Sequence, residues 1–198
     1  MDTTDFQTIS TDPNSWLSHS RNQRMIAQTL MSAYLPKVAE AGLAIRAGSN
    51  KMELLDDAIY YLRAAHMHYG LSLETALKGV MIQKWPEKIE FDITHDDIRI
   101  SKIGVNISKT HDLHLLAKET GLFTRPTDAS EWPDEKYFKA ALLHLSDMVK
   151  WSARYPVPIS LKKKYNYDEQ VPFMIYGHYL EDVIDPVLDY ILVQSTQP

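Results

Sequence analysis

No cysteine occurs anywhere in the 198 residues, which excludes disulfide bridges and thiolate metal sites. There is also no run of 18 apolar residues, so no helix long enough to span a bilayer is expected. Glycine is scarce, at 7 residues, too few for a loop-rich or low-complexity chain. The opening "MDTTDFQTIS" has neither the basic nor the apolar region of a secretory leader, and the expected compartment is cytoplasmic. What is present is ordinary for a folded domain: 44% hydrophobic residues and 24% charged ones. A chain of this length is expected to form one domain with a sizeable core.

The net charge of −5 does not point to nucleic acid, but its distribution is uneven. Residues 136–164 carry a net charge of +6, and residues 165–198 carry −6 with no basic residue at all. The basic block holds Lys150, Arg154, Lys162, Lys163 and Lys164, interleaved with Tyr137, Phe138, Trp151 and Tyr155. Such a mixture can hold a phosphate backbone and stack bases. Its structural reading is a solvated face balanced by the acidic tail.

Apolar spacing places the helices. Residues 1–12 read as a flexible arm, followed by a helix from about residue 14 to 41 that Pro36 should kink or divide. A second helix begins near Asn50, is interrupted at Gly70, and ends at Trp85-Pro86. The stretch 88–108 alternates and is rich in isoleucine, as a β-hairpin or an irregular insertion would be. A short helix from about Thr110 to Glu119 follows, with Gly121 as its stop. Another runs from near Pro133 to about Ser152, and a last one from about Pro172 to Val193, bent at Pro186. The expected fold is all-α: an antiparallel up-and-down bundle of four to five main helices, residues 13–198, carrying one insertion around 88–108.

Three stretches occur in a telling order: "LSLETALKGVMI" at 71–82, "KTHDLHLL" at 109–116 and "LLHLSDMVKWSARYPVP" at 142–158. Together they resemble the HEPN superfamily of prokaryotic helical-bundle domains. The matching residues are Glu74 and Lys78, then His111, Asp112 and Leu113, then Trp151, Arg154, Tyr155 and Pro156. The resemblance implies a bundle that commonly forms homodimers. It also implies roles in RNA cleavage, nucleotide binding or partnership with a nucleotidyltransferase, and a module that binds RNA, nucleotide or a partner protein in a defence or toxin–antitoxin setting is the expectation it supports. Ribonuclease members carry Arg and His four to six residues apart, the histidine for acid–base chemistry on the ribose 2′-OH and the arginine for phosphate charge. Here only Arg63 and His68 satisfy the spacing, and they fall in the second helix instead of late in the fold. The expected function is therefore a binding module that is not an active ribonuclease of the familiar type. The alternatives are a metal-independent endoribonuclease acting as a dimer, and an interaction protein with no nucleic-acid ligand.

The candidate binding residues are His111, Lys150, Arg154, Tyr155, Lys162, Lys163 and Lys164. Thr110-His111-Asp112 reads first as a helix start, with Thr110 as cap and Asp112 in the first turn. His111 and His114 could share a helix face as two metal ligands. A structural zinc site needs four ligands, however, and no metal or other cofactor is expected. His95-Asp96-Asp97 reads as a turn, with an acidic cation-binding loop as the alternative. His66 and His68 point about 200° apart on a helix, so they cannot form one site, and one of them should be packed. Glu74 and Lys78 form an i, i+4 pair, either on the surface or specifying a helix interface.

Overall fold

The structure, a computed structural model, describes residues 3–48, 52–94, 97–152 and 171–194. These residues are mostly helical. The helices are α1 (Thr3–Thr11), α2 (Pro13–Arg46), α3 (Met52–Lys84), α4 (Leu113–Thr120), α5 (Glu135–Asp147) and α6 (Leu180–Gln194). No helix among them is long and apolar enough to cross a membrane.

The frame is the α2–α3 pair, each helix about 50 Å long at 1.5 Å per residue. Buried residues of α2 include Leu17, Ser20, Ala27, Met31 and Ala41, spaced in steps of three, seven, four and ten, each a helical repeat or a sum of them. On α3 a small residue recurs every seventh position: Ala58, Ala65, Ser72 and Gly79, all buried. This is the repeat of a coiled-coil seam. Ser20 and Ser72 make a reciprocal, fully buried polar contact across it. Each hydroxyl donates to the other's backbone carbonyl, at 2.8 and 2.9 Å. Further contacts pair Gln23 with His68 and Lys37 with Asp57. Residue numbers rise on one helix as they fall on the other, so the two run in opposite directions.

Three details depart from the expectations above. Residues read as a loose arm form α1. Its Phe6 packs edge-on against Phe91, with ring centroids 6.3 Å apart, and the indole of Trp16 donates to the Ser10 carbonyl at 3.0 Å. Asp12 then caps α2, accepting from the amides of Asn14 and Ser15, with Pro13 in the first turn. Second, α2 continues through Pro36 and α3 through Gly70 without a break. A Cβ on Gly70 would lie 2.6 Å from Cγ2 of Val149 and 3.2 Å from the Leu145 carbonyl, so this glycine lets the end of α5 approach α3 closely. Third, α6 begins at Leu180 and not at about Pro172, because the chain first makes a separate short turn at Phe173–Tyr176; α5 starts near Pro133 as expected, capped by Asp134, whose carboxylate accepts from the Lys136 amide at 2.9 Å. Asn50, the expected cap of α3, lies outside the described residues.

The 88–108 insertion is a hairpin. Strands β1 (Ile89–Ile93) and β2 (Ile98–Ile103) pair antiparallel, with the two-residue β3 (Val105–Asn106) beside β2. Ile103 is fully buried in the core. At the hairpin tip the Asp97 amide donates to Thr94 Oγ1 at 3.1 Å, while His95 and Asp96 lie outside the described residues. The helix α5 continues as one wide turn, Met148–Ser152, and a short turn at Phe173–Tyr176 precedes α6. Arg24 of α2 fastens α6 through Asp185 at 2.9 Å and Asp189 at 2.6 Å. The last helix thus rests on the central pair by charge as well as by its apolar face.

Candidate functional site

One turn beyond Gly70, α3 carries Glu74 and Lys78, both buried, with residue exposures of 4% and 6%. The Lys78 ammonium donates to Glu74 Oε1 at 2.5 Å and lies over the Trp16 ring, 5.6 Å from its centroid. Cation and aromatic face are within attractive range at that distance. The second carboxylate oxygen, Oε2, meets His111 Nδ1 at 2.8 Å. Both oxygens of a charge removed from water are therefore engaged, as burial requires.

Local sequence sets the position of His111. Asp112, not Thr110, caps α4: its backbone is extended and its carboxylate accepts from the Leu115 amide at 3.0 Å. Thr110 instead closes the preceding turn, its hydroxyl donating to the Ile107 carbonyl at 2.8 Å. His111 is held between these two turns, ahead of the helix, and its side chain turns to α3. The Leu113 amide donates to Ser146 Oγ at 2.9 Å, which fixes the start of α4 against α5. Gly121, with φ of 77°, ends α4 as expected.

The imidazole is 45% exposed while its carboxylate partner is 5% exposed. A carboxylate only accepts, so His111 donates from Nδ1. Nε2 is then the second hydrogen-bonding site of this half-exposed ring, a lone pair when the ring is neutral and a donor when it is charged. This arrangement can accept or deliver a proton, or hold an anionic oxygen, at a fixed position.

His114 does not join it. Its ring packs edge-on against Phe123 at 4.9 Å, its Nε2 is buried without a hydrogen bond, and burial lowers its pKa. Among the described residues no three His, Asp or Glu side chains gather as a metal ion would need. Arg63 and His68 both lie on α3, but five residues of helix place them about 140° apart around its axis. His68 donates from Nδ1 to Gln23 Oε1 at 2.6 Å, and partial burial lowers its pKa. The spacing thus does not bring these two side chains to one face. Lys150, partly buried, sits on the wide turn after α5. Arg154, Tyr155, Lys162, Lys163 and Lys164 lie outside the described residues, as do Pro156 and the side chain of Trp151.

Of the two histidines on α3, His66 is the packed one. It meets His144 of α5, Nδ1 to Nε2, at 2.9 Å, and its own Nε2 reaches the Gly177 carbonyl at 3.2 Å. Burial lowers both pKa values, that of His66 to about 4. A separate cleft of about 270 Å³ lies between the 128–131 loop and α6, lined by Asp128, Glu131, Asp189 and Tyr190 among others. It shares no residue with the Glu74 cluster.

Trp16 and the His144 partnership were not singled out from the sequence. His144 was signalled weakly: it falls in the stripe of Ala141, Leu145 and Met148, on the face of α5 that the core covers. Trp16 sits at the α1–α2 junction, and nothing local links it to Lys78, 62 residues later. No family of known proteins, no curated protein and no solved structure matches this chain.

Proposed function

We propose that this protein is a HEPN-like helical module, built as an antiparallel bundle, that binds RNA or a nucleotide on the face where His111 reaches the surface. The observation that supports this reading is the meeting of Glu74, Lys78 and His111. These residues come from two of the three stretches that carry the resemblance, and they stand far apart in sequence. A buried ion pair adds little net stability compared with apolar residues of the same size. Here it holds a half-exposed imidazole in one orientation, which is a reason to have it. Lys150 and the basic residues Arg154 and Lys162–Lys164 would supply the phosphate contacts. A homodimer and a nucleotidyltransferase partner belong to the same proposal.

Fluorescence anisotropy with a labelled single-stranded RNA, and competition by a nucleoside triphosphate, tests it. Binding should weaken between 50 and 200 mM salt, because phosphate contacts release counterions. It should weaken about tenfold in His111→Ala and further when Lys162, Lys163 and Lys164 are all replaced by Ala. An affinity that ignores both salt and these substitutions would sink the proposal.

A further inference from the structure

We propose that the His66–His144 pair is an acid-sensitive latch, which fastens the turn before α6 to α3 and α5 while both rings are neutral and releases it when they take up protons. The hydrogen bonds fix where the protons sit. The Gly177 carbonyl can only accept, so His66 carries its proton on Nε2. A neutral His66 then offers a bare Nδ1, and the 2.9 Å contact requires His144 to donate from Nε2. The chain therefore runs one way, from α5 through α3 to the turn that starts α6.

A first further proton would go on the bare Nδ1 of His144, where both hydrogen bonds survive and burial opposes the charge. A second, on His66 Nδ1, would confront the His144 N–H, so that with both rings charged two donors face each other across 2.9 Å. Nor, among the described residues, does any acid act on either ring. Tyr176, on the same turn, presents its ring edge-on to His144 at 5.4 Å, which offers no acceptor of charge. On α6, Glu181 is engaged with the Tyr69 hydroxyl at 3.4 Å and Asp185 with Arg24. Asp147 follows His144 by three residues on α5, and no charge effect from it reaches the ring; Arg63 on α3 is a cation. Burial dominates both rings, and among the described residues the only charged group acting on His144 is His66 itself.

Opening exposes the rings to water, where an ordinary histidine titrates near 6.5. The neutral pair thus favours the closed form above that pH, and the preference is lost as pH falls from 6.5 toward 4. At pH 5 His66 alone should raise the open population roughly 30-fold over its neutral-pH value.

NMR on the intact chain tests this, following the imidazole C–H signals and amide exchange between pH 7.5 and 4.5. Two of the eight histidines should stay neutral past pH 5.5. Exchange at the Leu180 amide, which bonds to the Gly177 carbonyl at 3.3 Å, should rise by more than roughly 30-fold at pH 5, His144 adding to the share of His66, after correction for intrinsic chemistry. The far-ultraviolet helix signal should not yet have moved. His144→Gln keeps an N–H donor toward His66 and removes one titrating ring, so it should shrink the acceleration. Flat exchange at Leu180 would overturn the latch, as would an acceleration equally large in the variant. If the variant does not fold, the wild-type titration decides alone: eight histidines with ordinary midpoints overturn the proposal.

Discussion

Two polar clusters sit on α3, centred eight residues apart, and they meet burial in opposite ways. The Glu74–Lys78–His111 cluster keeps its charges and pairs them, with one member reaching water. The His66–His144 pair gives up its charge and relies on directed hydrogen bonds between neutral rings. The first is therefore sensitive to losing a partner, and the second to gaining a proton. A shared helix does not impose a shared electrostatic strategy; what decides is whether an opposite charge comes within reach.

The sharpest way to break the comparison is to remove one charge. Glu74→Ala leaves the Lys78 ammonium buried without its carboxylate and should cost about 3–5 kcal/mol in urea unfolding. Replacing Glu74 and Lys78 together by Met should cost far less, on the order of 1 kcal/mol, because no lone charge remains. If the double variant is as unstable as the single, the pair is not the cause.

Acid comes next. With the folded-state pKa of His66 lowered to about 4, its contribution is complete above pH 6.5 and is lost as pH falls through that window. The loss should approach roughly 3 kcal/mol near pH 4. Unfolding free energies at pH 7, 6, 5 and 4 check this, and His66→Gln should flatten the slope in that window.

Gly70 separates the clusters. Gly70→Ala gains helix propensity but drives a Cβ into Val149, for a net loss of about 1–2 kcal/mol by thermal melting. Gly42→Ala on α2 meets nothing within 4 Å and should instead stabilise by about 0.5–1 kcal/mol.

The smallest stability effect should come from His111→Ala, under about 1 kcal/mol, because its ring is half in water. Among these stability variants the same one should produce the largest change in ligand affinity, which separates support of the fold from service at the surface.

Much of the helical layout is legible in the sequence, because amphipathic spacing and stop residues are local. Trp85-Pro86 and Gly121 end helices where expected, and the alternating 89–103 stretch is a hairpin. Helix α1 was not legible, since its contacts are with Phe91 and Trp16 and its own nine residues hold two large apolar side chains, Phe6 and Ile9, too few to set a period. Thr110 and Asp112 are both good caps. The choice between them depends on a turn at Ile107–Lys109 that no cap rule foresees. The Glu74–Lys78 spacing is visible, but its burial and its link to His111, 37 residues on, arise only from packing α4 against α3 and α5. For the same reason one packed histidine was legible on α3, and its partner 78 residues away was not.

The recurrence of Ala58, Ala65, Ser72 and Gly79 makes the central hairpin modular. Matched removal of seven residues from each of its helices, on the side away from Glu74, would shorten it by about 10 Å and leave the remaining seam in phase. Removing a single residue would swing everything beyond it by about 100°. Its length is thus free to vary in whole heptads, while the orientation it imparts to Glu74, Lys78 and His66 is not.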